Sequence, residues 1–83
     1  MAKKRSRDQI MALILALCQG EGANKTKIVY QVGLNFRTVI PYLSLLIEKG
    51  HMTSEERDLT IYRTTQKGKQ VLEALKIVEA IYT

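Results

Sequence analysis

The side chains in this 83-residue chain that could do chemistry do not form the groupings that enzymes use. The single histidine, His51, has no metal-ligand spacing around it, and the single cysteine, Cys18, has no second cysteine with which to form a disulfide. No Ser-His-Asp, Cys-His or glycine-rich phosphate-binding pattern is present in the sequence. We therefore predict a protein that is not an enzyme and that uses no cofactor and no metal.

Positive charge is the remaining chemical feature. Thirteen Lys and Arg residues against eight Asp and Glu give a net charge of +5 and an isoelectric point near 9.6. This moderate excess is compatible with nucleic-acid binding, although many small proteins without that function share it. Part of it lies in a basic N-terminal arm, residues 1–6, which contains Lys3, Lys4 and Arg5. The arm is either a solvated tail or a flexible contact to DNA phosphates or a minor groove.

The apolar pattern between Lys25 and Gly50 predicts two helices joined by a tight turn, and Gly50 is expected to end the second helix. The first helix has an apolar face formed by Ile28, Val29 and Val32. Gly33 supplies a left-handed residue that ends this helix, and Asn35 is a suitable N-cap for the next one. This arrangement is a helix-turn-helix, which can place its second helix in a DNA major groove. Similar turns also join helices that never touch DNA.

The second helix of this unit is expected to bury one side and to present the other. Its buried stripe is predicted to consist of Phe36, Val39, Leu43, Leu46 and Ile47. Arg37, Thr38 and Pro41 project away from that stripe, and Tyr42 borders it. Arg37 can bind a guanine through two hydrogen bonds, and Thr38 can reach a base or a phosphate. Pro41 is expected to kink the helix or to leave its first turn irregular.

The start of the first helix of the unit carries Lys25, Thr26 and Lys27, with Asn24 or Thr26 as its cap. Lysines at this end oppose the helix dipole. One reason for their position is that free N–H groups beside these side chains form a seat for a phosphate. The alternative is that both lysines are ordinary solvated surface residues.

Two segments after the helix-turn-helix, residues 51–55 and 59–65, are predicted to form a β-hairpin, because the second is rich in β-branched and aromatic residues. After a helix-turn-helix such a hairpin is a wing. Its tip carries Glu55, Glu56 and Asp58 against Arg57 alone, so it should repel phosphate unless it is held away from the DNA backbone. Residues 19–24 are predicted to be a loop because of their glycines.

The first and last helices carry more apolar surface than a small monomer needs. The first, expected from Ser6 or Arg7 to Gly20, has a second apolar stripe at Met11, Leu15 and Cys18. The last, expected to follow Thr65, continues its apolar stripe through Ile77, Val78, Ile81 and Tyr82. Either a partner subunit covers these stripes or the two helices cover each other within one chain.

Three segments, TKIVYQVGLNF, YLSLLIEKGHM and YRTTQKGKQVLEAL, resemble the small archaeal winged-helix DNA-binding proteins and regulators, and the similarity runs from about residue 3 to residue 75. The resemblance implies duplex DNA binding through the second helix of the unit and the wing, with dimerisation through the C-terminal helix. It points to Lys25, Thr26, Arg37 and Thr38 for DNA, and to Ile77, Val78, Ile81 and Tyr82 for the dimer. Because the last helix stops at Thr83, any dimer is expected to be compact.

We therefore predict a mainly α protein with a small β-hairpin, a winged helix-turn-helix of order α1-α2-α3-β-β-α4. Residues 1–6 are the arm, residues 7–65 the DNA-binding domain and residues 66–83 the dimerisation helix. The predicted DNA-binding residues are Lys3, Lys4, Arg5, Lys25, Thr26, Lys27, Asn35, Arg37, Thr38, Pro41, Tyr42 and Arg57. The predicted dimer interface consists of Met11, Leu15, Ile77, Val78, Ile81 and Tyr82.

The function we predict is binding of double-stranded DNA by a homodimeric transcriptional regulator. The alternatives are a weakly sequence-specific chromatin protein and a winged helix that binds only other proteins. The apolar run at residues 10–18 is too short to span a bilayer, and a lone cysteine fits a reducing compartment. We therefore expect no membrane partner and a cytoplasmic, nucleoid-associated location.

Overall fold

The computed structural model describes residues 6–82, the Tyr82 side chain excepted, as four helices and a three-stranded antiparallel sheet. The elements in chain order are α1 (Arg7–Leu17), β1 (Ala23–Asn24), α2 (Lys25–Val32), α3 (Phe36–Glu48), β2 (Met52–Glu55), β3 (Ile61–Thr64) and α4 (Gln66–Tyr82). The predicted order of four helices and a hairpin is confirmed. The strand β1 is an addition, since residues 19–24 were expected to be a loop throughout.

Helix α1 begins with a capping box. The Ser6 side chain accepts from the Gln9 N–H at 3.1 Å, and the Gln9 side chain accepts from the Ser6 N–H at 2.8 Å. The helix ends at Leu17 rather than at Gly20, and its C-terminal carbonyls are satisfied by β3. The Thr64 hydroxyl donates to the Leu15 carbonyl at 2.6 Å, and the Thr64 N–H donates to the Cys18 carbonyl at 3.0 Å. These two bonds tie the sheet to α1.

The turn between α2 and α3 has the predicted geometry. Gly33 adopts a left-handed conformation with φ of 79°, and its N–H donates to the Val29 carbonyl at 2.9 Å. An L-residue with a side chain rarely adopts this φ, so glycine suits the position. Leu34 then packs against the core, and Asn35 caps α3.

Helix α3 is α-helical from Phe36 through Pro41 to Glu48, so the expected irregular first turn is wrong. Proline lacks only the N–H that would reach the Arg37 carbonyl, and the cap at Asn35 secures the turn before it. At the other end the His51 N–H donates to the Leu46 carbonyl at 2.9 Å and the Gly50 N–H to the Ile47 carbonyl at 3.0 Å. This Schellman pattern confirms Gly50 as the residue that ends the helix.

The sheet has the strand order β1-β3-β2. Met52 lies opposite Thr64 and Glu55 opposite Ile61 in the hairpin, while Ala23 pairs with Tyr62 on the other edge of β3. We call residues 52–64, the two hairpin strands and their loop, the wing. Because β3 is the central strand, the wing is anchored on one side by β1.

Helix α4 starts at a compact junction. The Thr65 hydroxyl accepts from the Gly68 N–H at 3.0 Å and donates to the Gly50 carbonyl at 2.7 Å, which confirms Thr65 as the cap. A Cβ on Gly68 would overlap the His51 carbonyl. The absence of a side chain at Gly68 therefore lets α4 leave the sheet directly beside the end of α3.

The core surrounds α1, which packs against α2, β3 and α4. Its largest fully buried side chains are Ile14, Leu15, Cys18, Ile28, Val39, Met52 and Leu72. Met11 packs against the same cluster. The expectation that Met11, Leu15 and Cys18 form a stripe awaiting a partner subunit is therefore wrong, because neighbouring elements of the same chain cover a helix that is apolar nearly all round.

Two other predictions concern the apolar residues of α3 and α4. Phe36 and Ile47, expected in the buried stripe of α3, are 50% and 37% exposed, while Val39, Leu43 and Leu46 are buried as predicted. On α4, Leu72 is buried against α1, but Ile77, Val78 and Ile81 remain exposed, at 61%, 48% and 69%. The last two turns of α4 thus keep an apolar surface that α1 does not cover.

Candidate nucleic-acid interface

The N-terminal half of α3 presents one continuous exposed face, which we define as Phe36, Arg37, Thr38, Ile40 and Pro41. The opposite side of the same helix, at Val39, Leu43 and Leu46, is buried. The Asn35 side chain accepts from the Thr38 N–H at 2.7 Å, and the Val39 N–H donates to the Asn35 carbonyl at 3.1 Å. The buried side chains therefore fix α3 against the core, and the cap at Asn35 fixes its first turn.

The N-terminus of α2 is organised in the same way. The Asn24 side chain accepts from the Lys27 N–H at 2.8 Å, so Asn24 is the cap and Thr26 is not. Thr26 and Lys27 are exposed and Lys25 is half-buried. With Asn24 engaged at Lys27, the remaining N–H groups of this turn face outward beside two lysines, which suits an anion.

The wing lies next to this N-terminus. A cleft of about 170 Å³ separates them, lined by Asn24, Lys25, Thr26, Leu59, Thr60 and Tyr62. The structure therefore brings Lys25 and Thr26 beside the wing. The predicted wing residue Arg57 does not line this cleft but a second one, with Glu21 and Arg63.

The wing is less acidic than its sequence suggests. Glu55 forms ion pairs with Arg57 and with Arg63, both at 2.9 Å. Arg63 was not among the predicted residues, and its Nη2 also lies 3.4 Å from the Glu21 carbonyl. Arg57, predicted to bind DNA, is thus held by a carboxylate of its own wing. Exposed pairs of this kind contribute little to stability and can be exchanged for other partners.

The second wing carboxylate, Glu56, forms a hydrogen bond within the loop of the wing. It accepts a hydrogen bond from the Thr60 hydroxyl at 3.3 Å. Burial raises the pKa of the Tyr62 phenol, and the negative charge of Glu56 raises it further. Tyr62 therefore stays protonated and neutral at physiological pH.

Two candidate residues were missed by the sequence reasoning. Arg7 lines a cleft of about 350 Å³ together with Thr38, Pro41, Tyr42 and Leu45, so the first residue of α1 adjoins α3. Tyr30, four residues after Thr26 on α2, is 85% exposed. The helical period of α2 would have revealed Tyr30, because it lies opposite Ile28 and Val32. The position of Arg7 beside α3 could not be predicted from the sequence, because it depends on how α1 packs in the folded chain.

The remaining predicted residues divide into three groups. Tyr42 is half-buried and packs against the core, with an edge in the Arg7 cleft. Lys3, Lys4 and Arg5 lie outside the residues that the structure describes, as does the Tyr82 side chain. Cys18 is a core residue, and burial raises the pKa of its thiol from 9.0 to about 12, with Lys27 lowering it slightly.

A family model described as winged helix-turn-helix matches residues 4–82 of the chain. This match spans nearly the whole sequence and agrees with the observed order of elements. The chain belongs to the winged helix-turn-helix family. The winged helix-turn-helix is not an enzyme family, which confirms the prediction of a non-enzyme.

Solved structures of other winged helix-turn-helix proteins are similar to this one. Sso10a-2, a DNA-binding protein from Sulfolobus solfataricus, is 32% identical, with a TM-score of 0.80 over 94% of this chain and 86% of its own. A MarR-family transcriptional regulator from Rhodococcus sp. RHA1 is 22% identical, with a TM-score of 0.76 over 88% of this chain and 56% of its own. Its likeness shows the fold alone.

A third structure, the transcriptional repressor CouR bound to a 23-mer DNA duplex, is 23% identical, with a TM-score of 0.71. The match covers 93% of this chain and 56% of CouR, which is known from Rhodococcus jostii RHA1. The present winged helix-turn-helix chain thus spans just over half of each of the two regulators. Among curated proteins, none matches the chain significantly.

Within residues 6–82, no helix is long and apolar enough to cross a membrane. The same residues contain no group of three or more His, Cys, Asp or Glu side chains placed to hold a metal ion. The candidate site described above consists of the exposed face of α3, the α2 N-terminus and the wing.

Proposed function

We propose that this chain binds double-stranded DNA through the exposed face of α3 and acts as a homodimeric transcriptional regulator in the cytoplasm. One observation carries the proposal. Arg37 and Thr38 stand at a capped helix N-terminus whose other side is fixed in the core. Side chains at the N-terminal end of a recognition helix are the ones that reach base edges in a major groove.

The charge distribution supports this proposal. From Lys25 through Ile47 the chain contains Lys25, Lys27 and Arg37 and no Asp or Glu. The one carboxylate of the two helices, Glu48, is the last residue of α3, so the N-terminal parts of both helices attract a polyanion without local repulsion. The lysines at the α2 N-terminus are suited to phosphates, and Arg37 is suited to a guanine edge, where bidentate contact gives sequence preference.

Similar proteins support the proposal independently of the surface. The Sulfolobus relative, 32% identical over most of both chains, is a DNA-binding protein. CouR, which shares the fold, is a repressor bound to a DNA duplex. We transfer duplex binding to this chain because the exposed face of α3 carries side chains suited to that partner.

The homodimer is the second part of the proposal. Ala74, Ile77 and Ile81 follow one another at steps of three and four residues, with Val78 next to Ile77, on the side of α4 away from Leu72. Burying one isoleucine fully contributes about 1.5–3 kcal/mol, so pairing two such stripes would hold a compact two-fold dimer. A two-fold axis would place two α3 helices about one DNA turn apart, on half-sites some 10 base pairs apart.

A weakly sequence-specific chromatin protein is a second candidate function. The specific observation in its favour is that Arg37 is the one long donor on the exposed face of α3. One guanine contact per half-site gives limited discrimination, roughly 1–3 kcal/mol. Both candidates use the same surface and differ in how steeply affinity depends on sequence.

The test is a salt titration of binding to genomic and random-sequence duplexes. Each neutralised phosphate steepens the log–log slope by about 0.9, so a dimer that contacts some six phosphates should give a slope near −5. At higher salt, a regulator should still bind a subset of genomic sites tightly. The affinity of a chromatin protein should instead fall alike for all sequences. No binding to any duplex at low salt would contradict both and favour a winged helix that binds only proteins.

A further inference from the structure

The exposed face of α3 is unusually apolar for a surface that meets water. Phe36 and Ile40 are 50% and 46% exposed, and they lie four residues apart on one side of the helix. Pro41 is exposed beside them. Large apolar side chains grouped on a surface mark a contact with another molecule rather than with solvent. Arg37 and Thr38 are the polar members of this face, so polar contacts alone leave half of it without a partner.

We propose that Phe36 and Ile40 read the C5-methyl groups of thymine, which makes thymine beside guanine the preferred site. This inference rests on the proposed function and deepens it. A base pair presents hydrogen-bonding groups in the major groove, and its apolar group there is the thymine methyl. Arg37, between the two apolar residues in sequence, supplies the contact to guanine.

The surroundings favour DNA over a protein as the occupant of this apolar surface. The helix-turn-helix carries three cations and one carboxylate, Glu48, which is the last residue of α3 and lies about two turns beyond Ile40. A partner must therefore combine dense negative charge with small apolar groups a few ångströms apart. A duplex does so, because phosphates line the groove whose floor holds the thymine methyls.

The experiment compares four duplexes with equal phosphate charge. One has alternating A·T pairs, and its match replaces every thymine with deoxyuridine, which removes the methyls and keeps the pairing. The other two have alternating G·C pairs with cytosine or with 5-methylcytosine. Wild-type protein should bind the A·T duplex at least about fourfold more tightly than the A·U duplex, the effect of one buried methyl group. Methylation of cytosine should likewise strengthen binding.

Variants assign the effect to α3. Ile40→Ala and Phe36→Ala should each bring the ratio of A·T to A·U affinity closer to one. Leu13→Ala is the matched control, since it truncates an exposed apolar side chain on α1, outside both the DNA surface and the dimer surface, and should leave the ratio of the two affinities unchanged. Circular dichroism verifies folding, which truncation of half-exposed side chains should leave intact.

The outcomes separate this inference from the proposed function. Equal affinity for A·T and A·U duplexes, with binding to both, overturns methyl reading and leaves DNA binding in place. A methyl effect that persists unchanged in both Ile40→Ala and Phe36→Ala overturns the assignment to α3. Failure to bind any of the four duplexes removes the proposed function itself.

Discussion

Arg37 illustrates how much depends on one side chain. It is the second residue of α3, and the cap at Asn35 fixes the turn that carries it. A guanidinium differs from an ammonium because its planar fork matches the O6 and N7 acceptors of guanine, while both supply the same charge to phosphates. Geometry and charge can therefore be separated by experiment.

Arg37→Ala is expected to cost roughly 1–3 kcal/mol of affinity at the preferred site and to relax preference at one base pair in each half-site. Arg37→Lys should keep the salt dependence and lose the preference, because charge remains and the bidentate geometry does not. Selection from a random duplex library by each variant measures both. If Arg37→Ala keeps the wild-type preference, α3 does not read the guanine.

Cys18 gives a prediction about pH. Its folded pKa of about 12 exceeds its ordinary 9.0 because burial disfavours the thiolate. The stabilisation is fully present below pH 9 and is lost as pH rises from 9 towards 12. Urea unfolding at pH 10 should therefore show about 1 kcal/mol less stability from this residue than at pH 8. Cys18→Ala should lose that part of the alkaline dependence, whereas an identical pH slope in the variant would contradict the assignment.

At the scale of elements, local signals in the sequence predicted most of the helix boundaries. Ser6, Gly33, Asn35, Gly50 and Thr65 all act where they were expected to act, because a cap or a left-handed turn depends on residues within one turn. These same signals located the helix-turn-helix and hence the exposed face of α3.

Features that depend on distant partners were not predictable in this way. Strand β1 is two residues long and exists because it pairs with Tyr62 and Ile61. Leu15 was assigned to a dimer interface because the helical period shows that a stripe of residues is apolar. It does not show which neighbouring element covers that stripe. The pairing of Glu55 with Arg63 likewise needed the register of β2 against β3.

The wing gives a prediction that distinguishes its acidic residues. Glu55→Gln releases Arg57 and Arg63 from their ion pairs, so each arginine becomes available to a phosphate. Non-specific DNA affinity should rise, and the salt slope should steepen by up to about 1.8, or 0.9 for each arginine. Asp58→Asn removes the same charge without opening these two pairs and should raise affinity less. Unchanged affinity in both variants would place the wing away from DNA, and equal increases would contradict the release of the two arginines.

The molecule measures 40 × 30 × 20 Å and is built around α1, and the end of α4 keeps an apolar surface that α1 does not cover. Helix α1 needs no partner subunit because α2, β3 and α4 already cover it. The remaining apolar surface, at Ile77, Val78 and Ile81, is where a second copy would bind.

Ile77→Asp combined with Ile81→Asp should convert the proposed dimer into a folded monomer, because two carboxylates per chain cannot be buried in an apolar interface. Light scattering gives the mass, and DNA affinity should fall sharply since one half-site alone is engaged. Leu59→Asp, at an exposed leucine of the wing, is the control and should remain dimeric. A wild-type monomer at tens of micromolar would contradict the dimer.

Contact between DNA and the α2–α3 unit can be measured residue by residue through amide chemical shifts. Isotope-labelled protein is titrated with a duplex while each backbone N–H is observed. We expect the largest shifts at Lys25–Lys27 and at Phe36–Ile40, with smaller ones in the wing and none on the buried side of α1. Shifts confined to residues 74–81 of α4, or no shifts in the presence of excess duplex, would contradict this expectation.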